Sequence, residues 1–438
     1  MGLATYVKND LPNWPNWINF LFLKLNCFGG LVYGKSYYQI RKHLDDSDPE
    51  QLLLKIVNHA IQNVPYYRNK YGQLNIKSID DFKEKIGFID KNEVMAHWED
   101  FLVDNIDWKK VSVGTTGGTS GKPLKLVSPN DRYSWELAFM HKQWNKVGWH
   151  YHIRGVLRNH NLNGRNYEIN PVLREIIFDP NKLNDDYVII IYKTLKKYNV
   201  KYITAYPSNA YQFCKLCAKH NLSLSFIKAF LCGSEGITPE QKVYFDQMNI
   251  RILSWYGHSE KLILGSTENS LDRFRIEPNY GFCEVIDDNG NNVVKNGDKG
   301  ELVGTTFFNY YFPLIRYRTG DYTTFQSYNH GIVLSKILGR WDKSLIYKID
   351  GTTTSLTILN LHGSFYEHID GLQFIQEKIG YLKAIIIKGK DFTLEDETFF
   401  IHYLANAMGG GQYVSIEYVD RLIFLPNGKF LPLISSLN

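Results

Sequence analysis

A loop rich in glycine and hydroxyl residues, "VSVGTTGGTSGKPLKL" (111–126), carries groups that bind phosphate. In P-loops of the form G-x-x-x-x-G-K-[ST], glycine amides and a lysine bind phosphates, and a hydroxyl binds magnesium. This loop departs from the pattern twice, because Thr116 stands where the first glycine belongs and Pro123 replaces the metal-binding hydroxyl. Its amides and remaining hydroxyls can still hold a polyphosphate. The alternative is a flexible surface linker, since Gly, Ser and Thr cluster in loops.

Clusters that pair a carboxylate with a glycine follow several apolar segments. They read "CGSE" (232–235), "WYGHSE" (255–260) and "RTGD" (318–321), each just past a predicted strand. Ligands of α/β sheets bind at the carboxyl ends of strands. Each cluster alone is typical of a turn, but together with the glycine loop they indicate a nucleotide site.

The composition is that of a globular protein without a nucleic-acid partner. The chain has 438 residues, 44% of them hydrophobic, which is enough for two or three domains. Its 50 basic and 45 acidic residues give a net charge of +5 without a dense Lys/Arg block. The composition therefore gives little support to binding of DNA or RNA.

Cysteine usage and hydropathy predict a cytoplasmic location. Five cysteines form an odd, sparse set that favours free thiols, and "CKLC" (214–217) favours buried thiols on a helix over zinc. The most apolar run is interrupted by Asn19, Lys24 and Asn26, and neither a membrane span nor a cleaved signal peptide is predicted.

Helix and strand patterns alternate as in α/β folds. "DPEQLLLKIVNHAIQNV" (48–64) places Leu53, Ile56, Val57, Ala60 and Ile61 on one helical face.

Capping residues and turn residues predict further helices and β-hairpins. Ser208 is a candidate N-cap of the helix containing "CKLC", and Thr238 with Gln241 forms a capping box. From about Phe282 the pattern changes to β-hairpins, with an Asp-Asn-Gly turn in "FCEVIDDNGNNVV".

In combination, these motifs identify a family resemblance. The order of the Thr/Gly loop, "GSE", "YGHSE", "GELVGTT", "FPLIRYRTGD", "LGRWD" and "LPNGKF" resembles the adenylate-forming superfamily of acyl-coenzyme A synthetases and adenylation domains. "TAYPSNAY", "FPLIRYRTGD" and "IDGT" are most similar to phenylacetate-coenzyme A ligases and their relatives in capsular polysaccharide biosynthesis.

The resemblance implies a role for each matching residue. The loop Thr115, Thr116, Gly117, Gly118, Thr119, Ser120, Gly121 and Lys122 would close over the ATP phosphates. The adenine would be framed by Gly233, Ser234, Glu235, Trp255, Tyr256 and Gly257, and the ribose bound by Asp321 and Arg340. Ser259 would contact the α-phosphate, Glu260 would ligate Mg²⁺, Lys429 would reach the reacting carboxylate, and Asp342 would be a hinge.

The acyl substrate is indicated by fewer residues. Tyr206, Pro207 and Ser208 match a segment that lines the acyl pocket in relatives, and His258 would face the same region. The basic cluster containing Arg158 favours a polar acid such as a uronic acid, an amino acid or another small carboxylate. The alternative is that the cluster is a solvated loop or contacts phosphate.

The resemblance implies an α/β fold with a large N-terminal domain (1–339) and a small mobile α+β C-terminal domain (340–438). In the large domain, β-sheets flanked by helices follow a helical, aromatic lead-in (1–110), and a β-rich part covers 282–339. The implied activity is that of an AMP-forming ligase, dependent on ATP and Mg²⁺, that activates a carboxylic acid as an acyl-adenylate. The acyl group would pass to an amine, a sugar or a thiol in the assembly of capsular or O-antigen polysaccharide.

Other functions remain open at this point. A phenylacetate-type ligase would use coenzyme A as acceptor, although the chain after Lys429 continues "FLPLISSLN" without the basic residue that is common there. An inactive nucleotide-binding protein is disfavoured by the presence of Lys429 and Glu260. A membrane-peripheral module would use the aromatic N-terminal stretch of Trp14, Trp17, Phe20 and Phe22, which could lie on the inner face of the membrane or pack on the main domain.

Overall fold

A computed structural model provides the structure of the protein. It describes residues 14–25, 33–116, 124–158, 160, 162, 164–268, 270–328, 331–338, 345–356, 368–409, 411–423 and 432–437.

The helices of this described part are α1 (Asn16–Leu25), α2 (Gly34–His43), α3 (Pro49–Asn63), α4 (Pro65–Tyr71), α5 (Ile79–Lys85), α6 (Lys91–Ala96), α7 (Arg132–Asn145), α8 (Asp185–Lys197), α9 (Pro207–Lys219), α10 (Pro239–Gln247) and α11 (Leu394–Ala407). Short 3₁₀ helices cover Trp98–Phe101 and Pro180–Lys182.

The strands are β1 (Val111–Thr115), β2 (Lys125–Pro129), β3 (Arg154–Leu157), β4 (Glu168–Asn170), β5 (Glu175–Ile177), β6 (Tyr202–Ala205), β7 (Ala229–Gly233), β8 (Ile252–Gly257), β9 (Leu264–Thr267), β10 (Arg273–Ile276), β11 (Gly281–Ile286), β12 (Lys299–Thr306), β13 (Tyr317–Tyr328), β14 (Gly331–Leu338), β15 (Leu345–Tyr347), β16 (Thr353–Ser355), β17 (Ile369–Lys378), β18 (Tyr381–Lys388), β19 (Tyr413–Tyr418) and β20 (Leu433–Ser435).

The chain forms two compact units. The first comprises Met1–Lys42, Tyr133–Ser254 and Leu404–Gly411, and the second comprises His43–Arg132, Trp255–Tyr403 and Gln412–Asn438. Strand β8 contains the point at which the chain passes from the first to the second.

The first unit contains a mostly parallel sheet in the order β4-β5-β3-β6-β7, with β4 antiparallel at its edge. Helix α8 connects β5 to β6, and α9 connects the neighbouring strands β6 and β7, because parallel strands need a crossover connection. Gly155 allows α8 to pack closely on β3, because a Cβ at that position would lie 3.0 Å from Leu195 Cδ2. The parallel strands are buried along their length, as expected for a sheet covered on both faces.

The second unit contains antiparallel strands in the order β8-β9-β10-β14-β13-β12-β11. Helix α3 begins at the N-cap Asp48, whose side chain accepts from Glu50 N, and it has Pro49 in its first turn. Its buried residues are those of the predicted apolar face, which is confirmed: Leu53, Ile56, Val57, Ala60 and Ile61. This face joins one core with residues of β11, β12 and β13.

A smaller β-sheet lies towards the C-terminus. Its order is β19-β18-β17-β20, with β17 and β18 antiparallel and the two outer strands parallel to their neighbours. Helix α11 connects β18 to β19. The α/β class and this smaller sheet agree with the expected fold, while the domain boundaries at 339/340 stay a prediction.

Several local predictions are confirmed. Helix α10 begins with the predicted capping box, in which Thr238 Oγ1 accepts from Gln241 N at 3.2 Å and Gln241 Oε1 accepts from Thr238 N at 3.1 Å. Cys214 and Cys217 are buried free thiols on α9, and burial raises the pKa of Cys217 to about 12.

Three local predictions are wrong. The N-cap of α9 is Tyr206, not Ser208, because Pro207 takes the first helical position, which suits its fixed φ. The Asp-Asn-Gly turn does not join two strands of a hairpin as predicted. Only an isolated bridge joins Ile286 to Asn292 there, because β11 pairs with the longer β12. The "RTGD" segment lies inside β13 and not past a strand, because the chain continues through an irregularity around Gly320, which has φ +73.

Candidate active site

The two strands that flank the glycine loop pair with each other in antiparallel fashion. Strands β1 and β2 pair from Val111↔Pro129 to Thr115↔Lys125. Beyond the last pair, Thr116 N donates to Leu124 O at 2.8 Å, and Leu124 N donates to Thr116 Oγ1 at 3.0 Å. The hydroxyl of Thr116 is therefore used at the base of the loop. A P-loop differs because it leads from a strand into a helix.

Parts of the predicted site lie outside the described residues. These are Gly117, Gly118, Thr119, Ser120, Gly121 and Lys122 of the loop, together with Arg340, Asp342 and Lys429. Their roles stay predictions.

In the first unit, predicted residues follow the carboxyl ends of β3, β6 and β7. Arg158 comes directly after β3, and its guanidinium carbon lies 4.9 Å from the centre of the Tyr206 ring, which follows β6. Arg158 Nη2 also donates to Ser234 Oγ, which follows β7, at 3.3 Å. Burial raises the pKa of Tyr206, although the charge of Arg158 opposes the shift, and the phenol stays neutral. The structure thus brings residues of three strand ends together.

Glu235 is held against the first turn of α9. Its carboxylate accepts from Ser208 N and from Ser208 Oγ, both at 3.1 Å. A carboxylate is favoured at a helix N-terminus by the unsatisfied N–H groups there. Ser234 next to it has φ +69, an uncommon left-handed conformation for a non-glycine residue. The "GSE" turn is therefore held at Ser234 by the hydrogen bond from Arg158 and at Glu235 by those from Ser208.

In the second unit, Tyr256 and Asp321 form a hydrogen-bonded pair. The Tyr256 hydroxyl donates to Asp321 Oδ2 at 2.8 Å. Burial and then the charge of Asp321 raise the pKa of Tyr256 well above its usual value, so the phenol stays protonated and remains a donor. Trp255 and Gly257 lie beside it in β8, opposite Ser266 and Leu264 of β9. Tyr256, predicted to frame the adenine, and Asp321, predicted to bind the ribose, are therefore neighbours.

The motif glutamate is oriented by two side chains. Glu260 Oε1 accepts from the Tyr317 hydroxyl at 3.3 Å, and Glu260 Oε2 lies 3.2 Å from His258 Nδ1. Ser259 precedes Glu260 in the turn after β8. Within the described part of the chain, His258 Nε2 is buried and has no hydrogen-bond partner. Glu260 is thus held in a fixed orientation, and Ser259 precedes it in the chain.

Sequence reasoning did not assign Tyr317 and Glu301, which support this region. Glu301 accepts from Arg318 Nε at 2.7 Å and from Gly320 N at 2.8 Å, and it raises the pKa of Arg318. These contacts fix the irregular part of β13 that carries Asp321. "GELVG" and "RYRTGD" contain both residues, but their pairing required the register of β12 with β13.

Among the described residues, no three His, Cys, Asp or Glu side chains come together closely enough to bind a metal ion by themselves. A hard cation such as Mg²⁺ binds through one or two carboxylates completed by phosphate oxygens and water. The single carboxylate of Glu260 fits that kind of donor set. No helix of the described part combines the length and apolar composition needed to cross a membrane.

Comparison with solved structures identifies the fold. A crystal structure of 2-hydroxyisobutyryl-CoA ligase in the postadenylation state, bound to R3-HIB-AMP, matches with a TM-score of 0.53 at 15% identity, covering 88% of each chain. The chain has the fold of an adenylate-forming ligase. The same ligase with 2-HIB-AMP and CoA, in the thioesterification state, also matches with a TM-score of 0.53, at 17% identity and 88% of each chain. These matches confirm the fold that the motif resemblance implies.

Among curated proteins, the chain is 20% identical to protein CapK of Staphylococcus aureus over 98% of both proteins. No protein-family model matches the chain.

Proposed function

We propose that this protein is an ATP-dependent, AMP-forming ligase that activates a carboxylic acid as an acyl-adenylate. It then transfers the acyl group to an amine, a sugar or a thiol. The observation that carries the proposal is the carboxylate of Glu260, oriented by Tyr317 and His258 beside Ser259, in a chain with the adenylate-forming fold.

In the first step, a carboxylate oxygen of the acid attacks the α-phosphorus of ATP. A P–O bond forms, the bond to the β-phosphate oxygen breaks, and pyrophosphate leaves with the electron pair. Charge that develops around phosphorus must be stabilised by fixed donors. Ser259 would donate to the α-phosphate, Lys429 would place positive charge on the reacting oxygens, and the Tyr256–Asp321 pair would hold the ribose.

Magnesium would be held by Glu260 together with nucleotide oxygens, and it would neutralise charge on the phosphates. Tyr317 and His258 each lie at hydrogen-bond distance from one of the two carboxylate oxygens of Glu260. These contacts would fix the direction in which Glu260 presents its electron pairs, as second-shell donors do in metal sites.

In the second step, the nucleophile attacks the acyl carbon, the bond from that carbon to the phosphate oxygen breaks, and AMP leaves with the electron pair. The proton of the nucleophile passes to water. Coenzyme A and amines are both candidate acceptors. Surface-polysaccharide assembly is part of the proposal because of the motif resemblance to that branch, and the full-length similarity to protein CapK supports it.

ATP–pyrophosphate exchange tests the first step. Labelled pyrophosphate is supplied with ATP, Mg²⁺ and a panel of acids (aryl acids, amino acids, uronic acids and short acyl acids) without an acceptor. We expect exchange with one acid class. Glu260→Gln should lower the exchange rate by at least about 100-fold, because the charged metal ligand is lost. Glu395→Gln, an exposed change in the first turn of α11, serves as the matched control.

The absence of pyrophosphate exchange with every acid, in protein that binds ATP, would contradict the proposal. Once an acid is known, coenzyme A, amines and sugars are added in turn, and mass spectrometry of the products identifies a thioester, an amide or an ester.

A peripheral membrane contact is a further part of the proposal, favoured by α1. Trp17, Leu21 and Leu25 lie at i, i+4 and i+8 and are 67%, 51% and 67% exposed. Tryptophan and lysine are favoured at the bilayer interface, and Lys24 lies beside this stripe over the Phe20 ring at 4.7 Å. The stripe fits the headgroup region of an anionic membrane.

Vesicle sedimentation tests this contact. Wild-type protein should pellet with vesicles containing phosphatidylglycerol, and the double variant Trp17→Glu, Leu21→Glu should stay in the supernatant. Val243→Glu, which changes an exposed apolar residue of α10, is the control. Equal pelleting of all three proteins would remove the membrane contact from the proposal.

A further inference from the structure

Glu301 is a buried carboxylate of β12 that contacts the irregular part of β13, which carries Asp321. We propose that Glu301 is a positioning residue for nucleotide recognition, which holds Asp321 in the orientation that distinguishes ATP from its deoxyribose analogues. This inference rests on the proposed function, because it concerns the ribose side of the same nucleotide site.

The pairing of β12 with β13 leaves extra residues in β13 beside Glu301. The register changes between Glu301 and Val303, which are opposite Tyr322 and Arg318. Between these two pairs, β12 has one residue, whereas β13 has three (319–321). Irregularities of this kind redirect side chains and are frequent next to active sites. The backbone N–H groups of the extra residues cannot all pair in the regular ladder, so they need other acceptors.

Two side chains supply those acceptors. Glu301 Oε1 accepts from Gly320 N at 2.8 Å, and Thr319 Oγ1 accepts from Asp321 N at 3.1 Å. The Thr319 hydroxyl in turn donates to Leu302 O at 2.7 Å. Gly320 has φ +73, a conformation that favours glycine. The backbone position of Asp321 therefore depends on the side chains of Glu301 and Thr319.

The Glu301 carboxylate is itself held in place. Glu301 is only 5% exposed, and its Oε2 lies 2.7 Å from both Nε and Nη2 of Arg318. A buried carboxylate is tolerated where it is paired and hydrogen-bonded. Arg318 thus holds one oxygen of Glu301, and the other accepts from the Gly320 N–H.

Glu301 and Tyr256 act on different parts of Asp321. Glu301 holds the backbone next to Asp321, while the Tyr256 hydroxyl donates to Asp321 Oδ2 at 2.8 Å. A ribose hydroxyl donates to a carboxylate only within a narrow range of distance and angle. Displacement of Asp321 should therefore weaken its hydrogen bonds to the ribose hydroxyls, while contacts to the base and the phosphates are kept.

Nucleotides that lack one ribose hydroxyl test the inference. Isothermal titration calorimetry gives the Kd values of ATP, 2′-deoxyATP and 3′-deoxyATP in the presence of Mg²⁺. Wild-type protein should bind ATP about 30-fold more tightly than the weaker of the two analogues, as expected for a hydrogen bond to a charged group. Glu301→Met removes the acceptor and should raise the Kd for ATP by about 10-fold, while the Kd for that analogue stays nearly unchanged. The preference for ATP should consequently fall to about 3-fold.

A matched control and two further variants complete the design. Glu268→Met breaks a similar ion pair of the same unit, in which Glu268 Oε2 accepts from Arg275 Nε at 2.8 Å, and should bind all three nucleotides as wild type does. Glu301→Gln should keep most of the preference, since an amide oxygen can still accept from Gly320 N. Thr319→Val removes the other acceptor and should also lower the preference, so the test does not depend on one variant. Thermal melts check that each variant is folded.

Three outcomes would overturn the inference. An unchanged preference for ATP in both Glu301→Met and Thr319→Val would show that these side chains do not act on the ribose contact. Equal rises in all three Kd values would assign Glu301 to the general stability of the site. Equal affinities of wild-type protein for ATP and both analogues would reject Asp321 as the ribose ligand, whereas the absence of ATP binding would reject the proposed function itself.

Discussion

Replacing Tyr256 by phenylalanine removes one hydroxyl and leaves the ring in place. The structure predicts that ATP affinity falls, because this hydroxyl donates to Asp321 Oδ2 at 2.8 Å and fixes the carboxylate assigned to the ribose. Hydrogen bonds to charged groups contribute about 1.5–3 kcal/mol. Direct loss of the ribose partner in Asp321→Ala should therefore cost about 2 kcal/mol, which is roughly a 30-fold rise in the Kd for ATP.

The effect of Tyr256→Phe should be smaller, about 1 kcal/mol or roughly 5-fold, since Asp321 is still present but less well oriented. The double variant should bind ATP no more weakly than Asp321→Ala alone, which corresponds to a coupling energy of about 1 kcal/mol. Additive effects would mean that the two residues act independently.

Isothermal titration calorimetry with ATP and Mg²⁺ measures all Kd values. Asp298→Ala, at an exposed position before β12, is the control and should leave the Kd unchanged. An unchanged Kd in Asp321→Ala would refute the ribose assignment. Melting curves recorded beside each titration exclude loss of the fold as the cause.

The remaining predictions concern catalysis, stability and thiol reactivity. Lys429→Ala should abolish pyrophosphate exchange while the calorimetric Kd for ATP stays nearly constant, and exchange at the wild-type rate would contradict its assignment. Arg316→Met should lower the free energy of unfolding by about 3–5 kcal/mol in urea titrations, because it breaks a buried ion pair and leaves the Glu284 carboxylate buried without it. A decrease of less than about 1 kcal/mol in the free energy of unfolding would show that solvent reaches the ion pair. Burial raises the pKa of the Cys217 and Cys232 thiols. Iodoacetamide at pH 8 should therefore label both thiols in unfolded protein but not in native protein, which peptide masses will show. Rapid labelling of the native protein would contradict their burial.

Local features of the fold were predictable where neighbouring residues determine them. The buried face of α3 follows from apolar spacing alone, and the start of α10 follows from Thr238, Pro239 and Gln241, which satisfy each other's backbone groups. In these cases the interactions lie within one or two helical turns. Sequence periodicity and capping chemistry are then sufficient.

Features that depend on distant partners were not predictable. The position of Asp321 inside β13 depends on the pairing of that strand with β12 and on Gly320, whose backbone N–H is held by Glu301. The role of Tyr317 likewise required its contact with Glu260, 57 residues away in the chain. The motifs located the candidate site, but these supporting contacts come from strand register.

The hairpin that carries the glycine loop has a consequence for chain entropy. Thr116 and Leu124 are joined by two hydrogen bonds, so the two ends of this connection are held together by β1 and β2. The free energy of closing a flexible loop changes slowly with its length, by about 0.6 kcal/mol for each doubling. A change in the number of residues between Thr116 and Leu124 should therefore cost little stability.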